Sequence, residues 1–334
     1  MPLPNFVFRP TSEEVAKTRV LFLARHAEDG SDERRAKYGY HVFYHQNLLQ
    51  TLRNLGFSVT PAAEFNVLFG PLKQFDFLYA IHSHALFEGH ELLAPVIAAY
   101  RGVPCLGPTA PMRAISEDKV LAKQVAASLG IDVAKHHVVT HRTMREGKFA
   151  LPGIWILKPR GGIASDAIMK IESEFGWREA LASAADPRHE GREFIAEEFI
   201  PGQNFTVPVI EGFPPFAPWE EQGRPGDNVL TNEGKRGLNP HYKSFPYEGP
   251  GAAEAKEATE RMAAAVGPFD YARFDFRYDT AKKRLVFIEV NFVCNMAPAS
   301  VIGRSVELMG IDYQSLVGHI ITHSLRRQRK TGSG

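Results

Sequence analysis

Two stretches near the C-terminal end decide the fold: Ala-Arg-Phe-Asp-Phe-Arg-Tyr at 272–278 and Arg-Leu-Val-Phe-Ile-Glu-Val-Asn-Phe-Val at 284–293. Even positions carry Phe274, Phe276, Tyr278, Val286, Ile288 and Val290, while odd positions carry Arg273, Asp275, Glu289 and Asn291. Side chains alternate across a strand. An antiparallel hairpin turning at 279–283 therefore predicts a greasy even face and an odd face with two carboxylates, an amide and a guanidinium. Oxygen ligands of this kind suit Mg²⁺, which keeps several waters and binds through one or two carboxylates plus substrate phosphates. The hairpin points to a nucleoside triphosphate. The plain alternative is a sheet face turned to solvent, and the motifs elsewhere in the chain decide against it.

A chain of 334 residues is long enough for about two domains and a large core without disulfide or metal staples. Its two cysteines, Cys105 and Cys294, are too few for a disulfide framework or a zinc site and fit a reducing, cytoplasmic setting; Cys105, in the apolar run 103–106, is expected in the core. A formal net charge of +1 leaves no electrostatic footprint for nucleic acid. The basic cluster Arg326, Arg327, Arg329 and Lys330 reads as a solvated helix end, and 331–334 as a disordered tail. No run approaches the length of a membrane span, and the N-terminus lacks signal-peptide features.

Strand and helix signals alternate through the first third: strands at 19–24, 57–60, 75–82 and 103–106, helices at 40–55 and 91–101. That alternation predicts a parallel α/β sheet, whose ligands lie beyond the C-terminal strand ends, at 25–29 and 82–90. After a boundary at Gly107, Pro108 and Pro111 come a helix at 117–129, strands at 154–157 and 167–171, and a helix at 177–185. A strand region at 194–209 is interrupted at Pro201-Gly202, and helices are expected at 254–266, 301–309 and 313–326. The Gly- and Pro-rich stretch 211–251 has little periodicity and reads as an active-site lid.

Lys119 and Lys158 are candidate phosphate ligands. Lys158 follows an apolar strand and precedes Gly161-Gly162, where bare backbone N–H groups can approach phosphate oxygens. Glu197-Glu198-Phe199-Ile200 ends a strand just before Pro201-Gly202. Such a turn can offer backbone N–H and C=O to a purine edge, an apolar side chain to its ring and a carboxylate to the ribose.

These segments, in this order, resemble the ATP-grasp superfamily, and within it the D-alanine–D-alanine ligase branch, over 102–317. The resemblance is carried by Ser116-Glu117-Asp118-Lys119, Leu157-Lys158-Pro159 with the loop through Ser165, Glu197-Glu198-Phe199-Ile200-Pro201-Gly202, Arg273-Phe274-Asp275-Phe276 and Glu289-Val290-Asn291. It implies an α/β (α+β) chain: a parallel α/β domain at 1–108, then ATP-grasp subdomains at 109–198 and 199–330 gripping ATP between two open sheets. It further implies Lys119, Lys158 and Ser165 on phosphates, Glu197, Glu198, Phe199 and Ile200 on adenine with Asn204 beside them, and Asp275, Glu289 and Asn291 on two Mg²⁺ ions. Lys235 or Lys243 would reach the γ-phosphate. The implied reaction is carboxylate–amine ligation through an acyl phosphate. In it Arg273 stabilises the tetrahedral oxyanion, Lys158 assists phosphoryl transfer and Ser300 receives a carboxylate of the amine substrate. A homodimer is expected.

The chain also departs from that branch. Cys294 and Asn295 stand where a Pro-Gly step usually follows the metal-binding Asn, Asn204 stands in place of Glu, and Ala164 in place of Ser. The N-terminal glycine-rich turn and its substrate-gripping Glu are replaced by Arg25-His26-Ala27-Glu28-Asp29-Gly30. A rebuilt first-substrate pocket would draw on Glu28, Asp29, His82, His84 and Glu88, with Asn295 on the amine side. The expected function is thus ligation of an amino acid or amino-acid-like acid to an amine. The rivals are a D-alanine–D-alanine ligase proper and a nucleotide-binding regulatory protein on the same fold, the latter disfavoured by the intact Arg273, Asp275, Glu289 and Asn291.

Overall fold

The computed structural model describes residues 3–82, 89–147, 149–162, 168–189, 191–223 and 242–331. Three sheets follow one another along the chain. The first is parallel, in the order β2-β1-β3, with β1 Arg19–Leu23 flanked by β2 Ser58–Ala62 and β3 Phe77–Ala80. The second holds β4 His136–Val139, β5 Trp155–Pro159, β6 Met169–Ile171 and β7 Phe194–Glu198, antiparallel in the order β4-β7-β5-β6. The third is antiparallel in the order β10-β9-β8-β11-β12, built from β8 Gln203–Ile210, β9 Trp219–Gln222, β10 Lys243–Pro246, β11 Tyr271–Asp279 and β12 Arg284–Phe292. A parallel α/β unit followed by two antiparallel sheets is the architecture the sequence predicts.

Helices cover these sheets for local reasons. In α1 Tyr40–Asn54, Val42, Tyr44, His45, Leu48, Leu49 and Leu52 recur at helical spacing and are buried. The next helix, α2 Leu93–Arg101, stops at Gly102, which adopts φ 68°. The helix expected at 117–129 is α4 Lys119–Ser128, and ahead of it, in the segment read as a boundary, lies α3 Ala110–Glu117. Asp118 leaves helical geometry between them and accepts hydrogen bonds from the Val120 and Leu121 N–H groups. The longer helices that follow are α5 Glu174–Ala184, α6 Ala252–Val266, α7 Val301–Leu308 and α8 Tyr313–Thr331, and shorter ones lie at Ser12–Ala16, Asp32–Tyr38 and His141–Glu146.

One core is shared between the N-terminal and C-terminal parts of the chain: Phe22, Tyr79, Tyr44 and Leu48 pack with Tyr271, Ile320 and Ile321. Each such side chain contributes about 1.5–3 kcal/mol by leaving water. Burial on this scale sets the parallel sheet firmly against the third sheet.

Several expectations are corrected. Residues 211–251 contain β9 and β10, because Trp219, Glu220 and Glu221 bury their side chains in the third sheet; the rest of the expected lid, 224–241, lies outside the described residues. The strand expected at 103–106 reduces to a single parallel bridge from Cys105 to Leu78. The strand β4 went unread because its residues are mostly exposed and do not alternate. The arginines near the C-terminus are not a solvated end: Arg326 pairs with Glu14 and Arg327 with Asp270, both at 2.7 Å. Cys105 is buried as expected, and burial pushes its thiol up to about 12.

The connection between the second and third sheets is tight. Gly202 adopts φ 110°, and a Cβ there would lie 2.1 Å from the Tyr278 carbonyl oxygen. Gly202→Ala is expected to cost about 2–3 kcal/mol, since both the left-handed backbone and the clash oppose it. Equilibrium urea unfolding with an unchanged midpoint would show that this approach relaxes freely.

Candidate active site

The hairpin β11–β12 forms antiparallel as expected, with Arg273 opposite Asn291 and Asp275 opposite Glu289. The Asp275 carboxylate is held by Arg273, whose Nε and Nη2 each donate at 2.9 Å, by the Thr206 hydroxyl, and by Asn291 Nδ2 at 3.3 Å. The same Asn291 amide reaches Glu289 Oε1 at 3.4 Å. Burial opposes charge on Arg273, but Asp275 and Glu221 outweigh it and raise its pKa well above the usual guanidinium value.

The clean division of faces ends one residue later. A β-bulge shifts the register between Asp275 and Phe276, so Phe276 faces Phe287 and Arg277 faces Val286. Phe287 therefore joins the greasy face, packed with Phe274 and Phe276. Val286 and Ile288, read from sequence as greasy-face residues, instead form a small apolar cluster with Ala134 and Ile200. That cluster lies beside the strand-end segment expected to meet a purine ring.

Behind this face sits a buried charge cluster. Glu197 receives Lys123 Nζ at 2.8 Å and Lys158 Nζ at 2.6 Å, and Lys123 also donates to the Ile288 carbonyl at 3.0 Å. Burial works against charge on all three groups. It prevails at Lys123, whose pKa falls; at Lys158 the charges of Glu197, Glu289 and Asp275 prevail and raise it; at Glu197 the two ammonium groups prevail and hold the carboxyl at about 2. Lys119 is buried too, its pKa lowered by desolvation, and donates to the Gly162 carbonyl at 2.9 Å. Gly162, at φ 79°, donates its N–H to the Glu117 carbonyl at the end of α3, while the Lys119 N–H, at the start of α4, meets the Arg160 carbonyl. Lys119, Lys158 and the first glycines of the loop thus converge, as expected; Ser165 lies outside the described residues.

The strand-end segment is more constrained than expected. The Glu198 and Phe199 N–H groups already donate to the Lys135 and Ile154 carbonyls, and Arg277 donates to the Ile200 and Gly202 carbonyls and to Asn204 Oδ1. Glu197 turns inward to the lysines rather than toward the turn. The Lys170 ammonium and the Arg277 guanidinium each lie 5.2 Å from the Phe199 ring centre.

Beyond Arg273 opens a cavity of about 520 Å³, lined among others by Tyr40, Lys243, Asn295 and Ser300. Ser300 caps α7, its hydroxyl accepting from Gly303 N–H, and Asn295 donates to the Tyr40 hydroxyl at 3.1 Å. The expected N-terminal candidates do not assemble comparably. Asp29 accepts from Ser31 N–H ahead of a short helix, Glu28 is exposed, and the His82 ring bonds the Ala63 carbonyl and packs on Phe65. His84, Glu88 and Lys235 lie outside the described residues. A separate group of possible metal ligands, Glu211, Asp270 and His323, surrounds Arg327, which pairs with Asp270.

Two residues of this site escaped the sequence reading. Lys123 stands four after Lys119, on the same face of α4, and Arg277 stands two after Asp275, on the same face of β11; both spacings were visible.

A family described as D-ala D-ala ligase C-terminus matches residues 125–322. The chain is 30% identical over 230 residues to the D-alanine–D-alanine ligase of Ectopseudomonas mendocina (strain ymp), covering 67% of this chain and 70% of that one. It is 29% identical to that of Acidiphilium cryptum (strain JF-5), covering 68% and 74%. Among solved structures it is similar to the D-alanine–D-alanine ligase from Bacillus anthracis complexed with ATP, with a TM-score of 0.70 at 18% identity over 94% of this chain and 100% of that one. It is also similar to the VanG D-Ala:D-Ser ligase from Enterococcus faecalis, with a TM-score of 0.66 at 18% identity over 92% and 98%.

Proposed function

We propose, for a chain that belongs to the D-alanine–D-alanine ligase family of ATP-grasp enzymes, that it joins an amino acid or amino-acid-like acid to an amine through an acyl phosphate. It is an ATP- and Mg²⁺-dependent ligase forming C–N bonds. The observation that carries the proposal is the single sheet face on which Arg273, Asp275, Glu289 and Asn291 meet, with Lys119 and Lys158 buried beside it.

The donor set fits Mg²⁺: two carboxylates and an amide, all oxygen-bearing, already drawn together by the Asn291 amide. When bound, the metal neutralises phosphate charge. Lys119, Lys158 and the Gly161-Gly162 backbone would hold the phosphates, Ile200, Val286 and Ile288 would meet the purine, and Glu198 and Asn204 would lie near the ribose side. ATP phosphorylates the acid carboxylate, the amine attacks the acyl carbon, and phosphate leaves. None of these steps needs a protein nucleophile, only alignment and charge neutralisation. Arg273 would donate to the oxyanion of the tetrahedral intermediate, and Ser300 would bind a carboxylate of the amine. Lys243, at the cavity mouth, remains a candidate for the γ-phosphate. The domain limits 1–108, 109–198 and 199–330, a homodimer and a cytoplasmic location belong to the same proposal. No described helix is long and apolar enough to cross a membrane.

A second reading, D-alanine–D-alanine ligation itself, is favoured by the names of the family's members. Phosphate release screened over pairs of amino acids and small acids, with D-alanine alone as one arm, separates the two. On the same assay, Arg273→Met should lower kcat by roughly 10²–10³, the typical effect of one lost oxyanion donor, and leave ATP affinity nearly intact. A change confined to ATP affinity would make the residue a nucleotide contact instead.

A further inference from the structure

The cavity beside Arg273 carries more positive charge than a simple amine substrate requires. Its charged lining residues are Glu221, Lys243, Arg273 and Arg304. Glu221 accepts the Tyr242 hydroxyl at 2.6 Å, and Arg273 is matched by Asp275. Arg304 differs. It lies one helical turn after Ser300, and both residues line the cavity. There Arg304 Nη1 donates to the Ser244 carbonyl at 2.8 Å and hydroxyl at 3.0 Å, and the guanidinium lies 4.6 Å from the Trp219 ring centre. Every one of these partners is neutral. No carboxylate pairs with Arg304 among the described residues, so the cation is held in place without being neutralised.

Resting on the ligase reading above, we propose that Arg304 determines the amine substrate: it binds a side-chain carboxylate of an amino dicarboxylic acid. Ser300 and the free N–H groups of the first turn already offer a place for one carboxylate. A monocarboxylic amino acid arrives with no net charge and leaves Arg304 unmatched. A second carboxylate supplies the missing anion, and a fixed guanidinium is suited to it because its donors match carboxylate geometry. At about 520 Å³ the cavity has space for a side chain well beyond a methyl group.

The test is calorimetric binding of aspartate and glutamate, in both hands, against alanine, asparagine and glutamine, with Mg²⁺ and a non-hydrolysable ATP analogue present. At least one acid should bind roughly 10- to 100-fold more tightly than its own amide, the scale of one charge-assisted hydrogen-bonding contact. Arg304→Gln should erase that difference while nucleotide binding, measured in the same instrument, stays unchanged. Acids that bind no better than their amides, absence of binding by either, or a preference that survives Arg304→Gln would each overturn the proposal. The comparison on the unaltered enzyme decides the matter even if the variant folds poorly. Failure of the ligase reading would register separately, as no ATP-dependent phosphate release with any acceptor.

Discussion

Glu289→Gln should reduce turnover by roughly 10³-fold, about 4 kcal/mol of transition-state stabilisation, with the fold retained. The substitution keeps shape and removes one anion from the face where Asp275, Glu289 and Asn291 converge. A metal held against phosphates by two carboxylates loses one of its charged ligands, and the developing charge loses its counter-ion with it. Stability should change little, because two electrostatic effects oppose each other. Asp275 sits directly across the strand pair as a like charge, whose relief is favourable, whereas Lys119 and Lys158 both gain from the Glu289 charge. Steady-state phosphate release and a thermal melt on the same preparation check both halves. Near-normal turnover in the folded variant would remove Glu289 from the metal site.

The hairpin was legible because strand alternation is a rigid rule, and Arg273, Asp275, Glu289 and Asn291 obey it. The rule failed where backbone geometry intervened. A bulge after Asp275 moved Val286 and Ile288 to the face that meets Ala134 and Ile200 and exchanged them for Phe287, and no composition signal marks one extra residue in a run of Val, Phe and Ile. The bulge is also where the Ile288 carbonyl meets Lys123, so the departure from regular pairing helps build the charge cluster. The break at Asp118 was hidden for a related reason. Its carboxylate both caps α4 and pairs with Arg160, just after β5, so the helix boundary is set by a residue distant in sequence. The N-terminal candidates gather least because backbone groups occupy them: Asp29 accepts from the nearby Ser31 N–H, and the His82 ring bonds the Ala63 carbonyl.

Arg277 shows how one unread residue joins fold to site. Its guanidinium ties the Ile200 and Gly202 carbonyls to Asn204 and lies against Phe199, fixing the turn between the second and third sheets. Burial lowers its pKa to about 10, yet it stays protonated at neutral pH. The turn beside the apolar cluster of Ile200, Val286 and Ile288 is therefore held by charge-assisted bonds rather than by local propensity, which explains why its sequence looks unremarkable.

Glu197→Gln should destabilise the protein by about 3–5 kcal/mol at neutral pH, the scale of breaking a buried ion cluster by removing one member. Glu197 is 3% exposed and Lys123 fully buried, so the amide would leave two ammonium groups competing for one neutral oxygen far from water. Removing one of them as well, in Lys123→Met combined with Glu197→Gln, should restore part of the loss, since one unpaired charge costs less than two. The sign of the pH dependence follows from the depressed carboxyl. The Glu197 contribution is fully present above the ordinary Glu value of 4.5 and fades as pH falls toward about 2, where the folded-state carboxyl takes up its proton. Stability curves of the parent protein and Glu197→Gln, measured by urea unfolding from pH 7 downward, should therefore converge across that window. Curves lying within about 1 kcal/mol of each other at pH 7, the range of ordinary surface substitutions and slightly beyond, would show that the lysines are stabilised without their shared carboxylate.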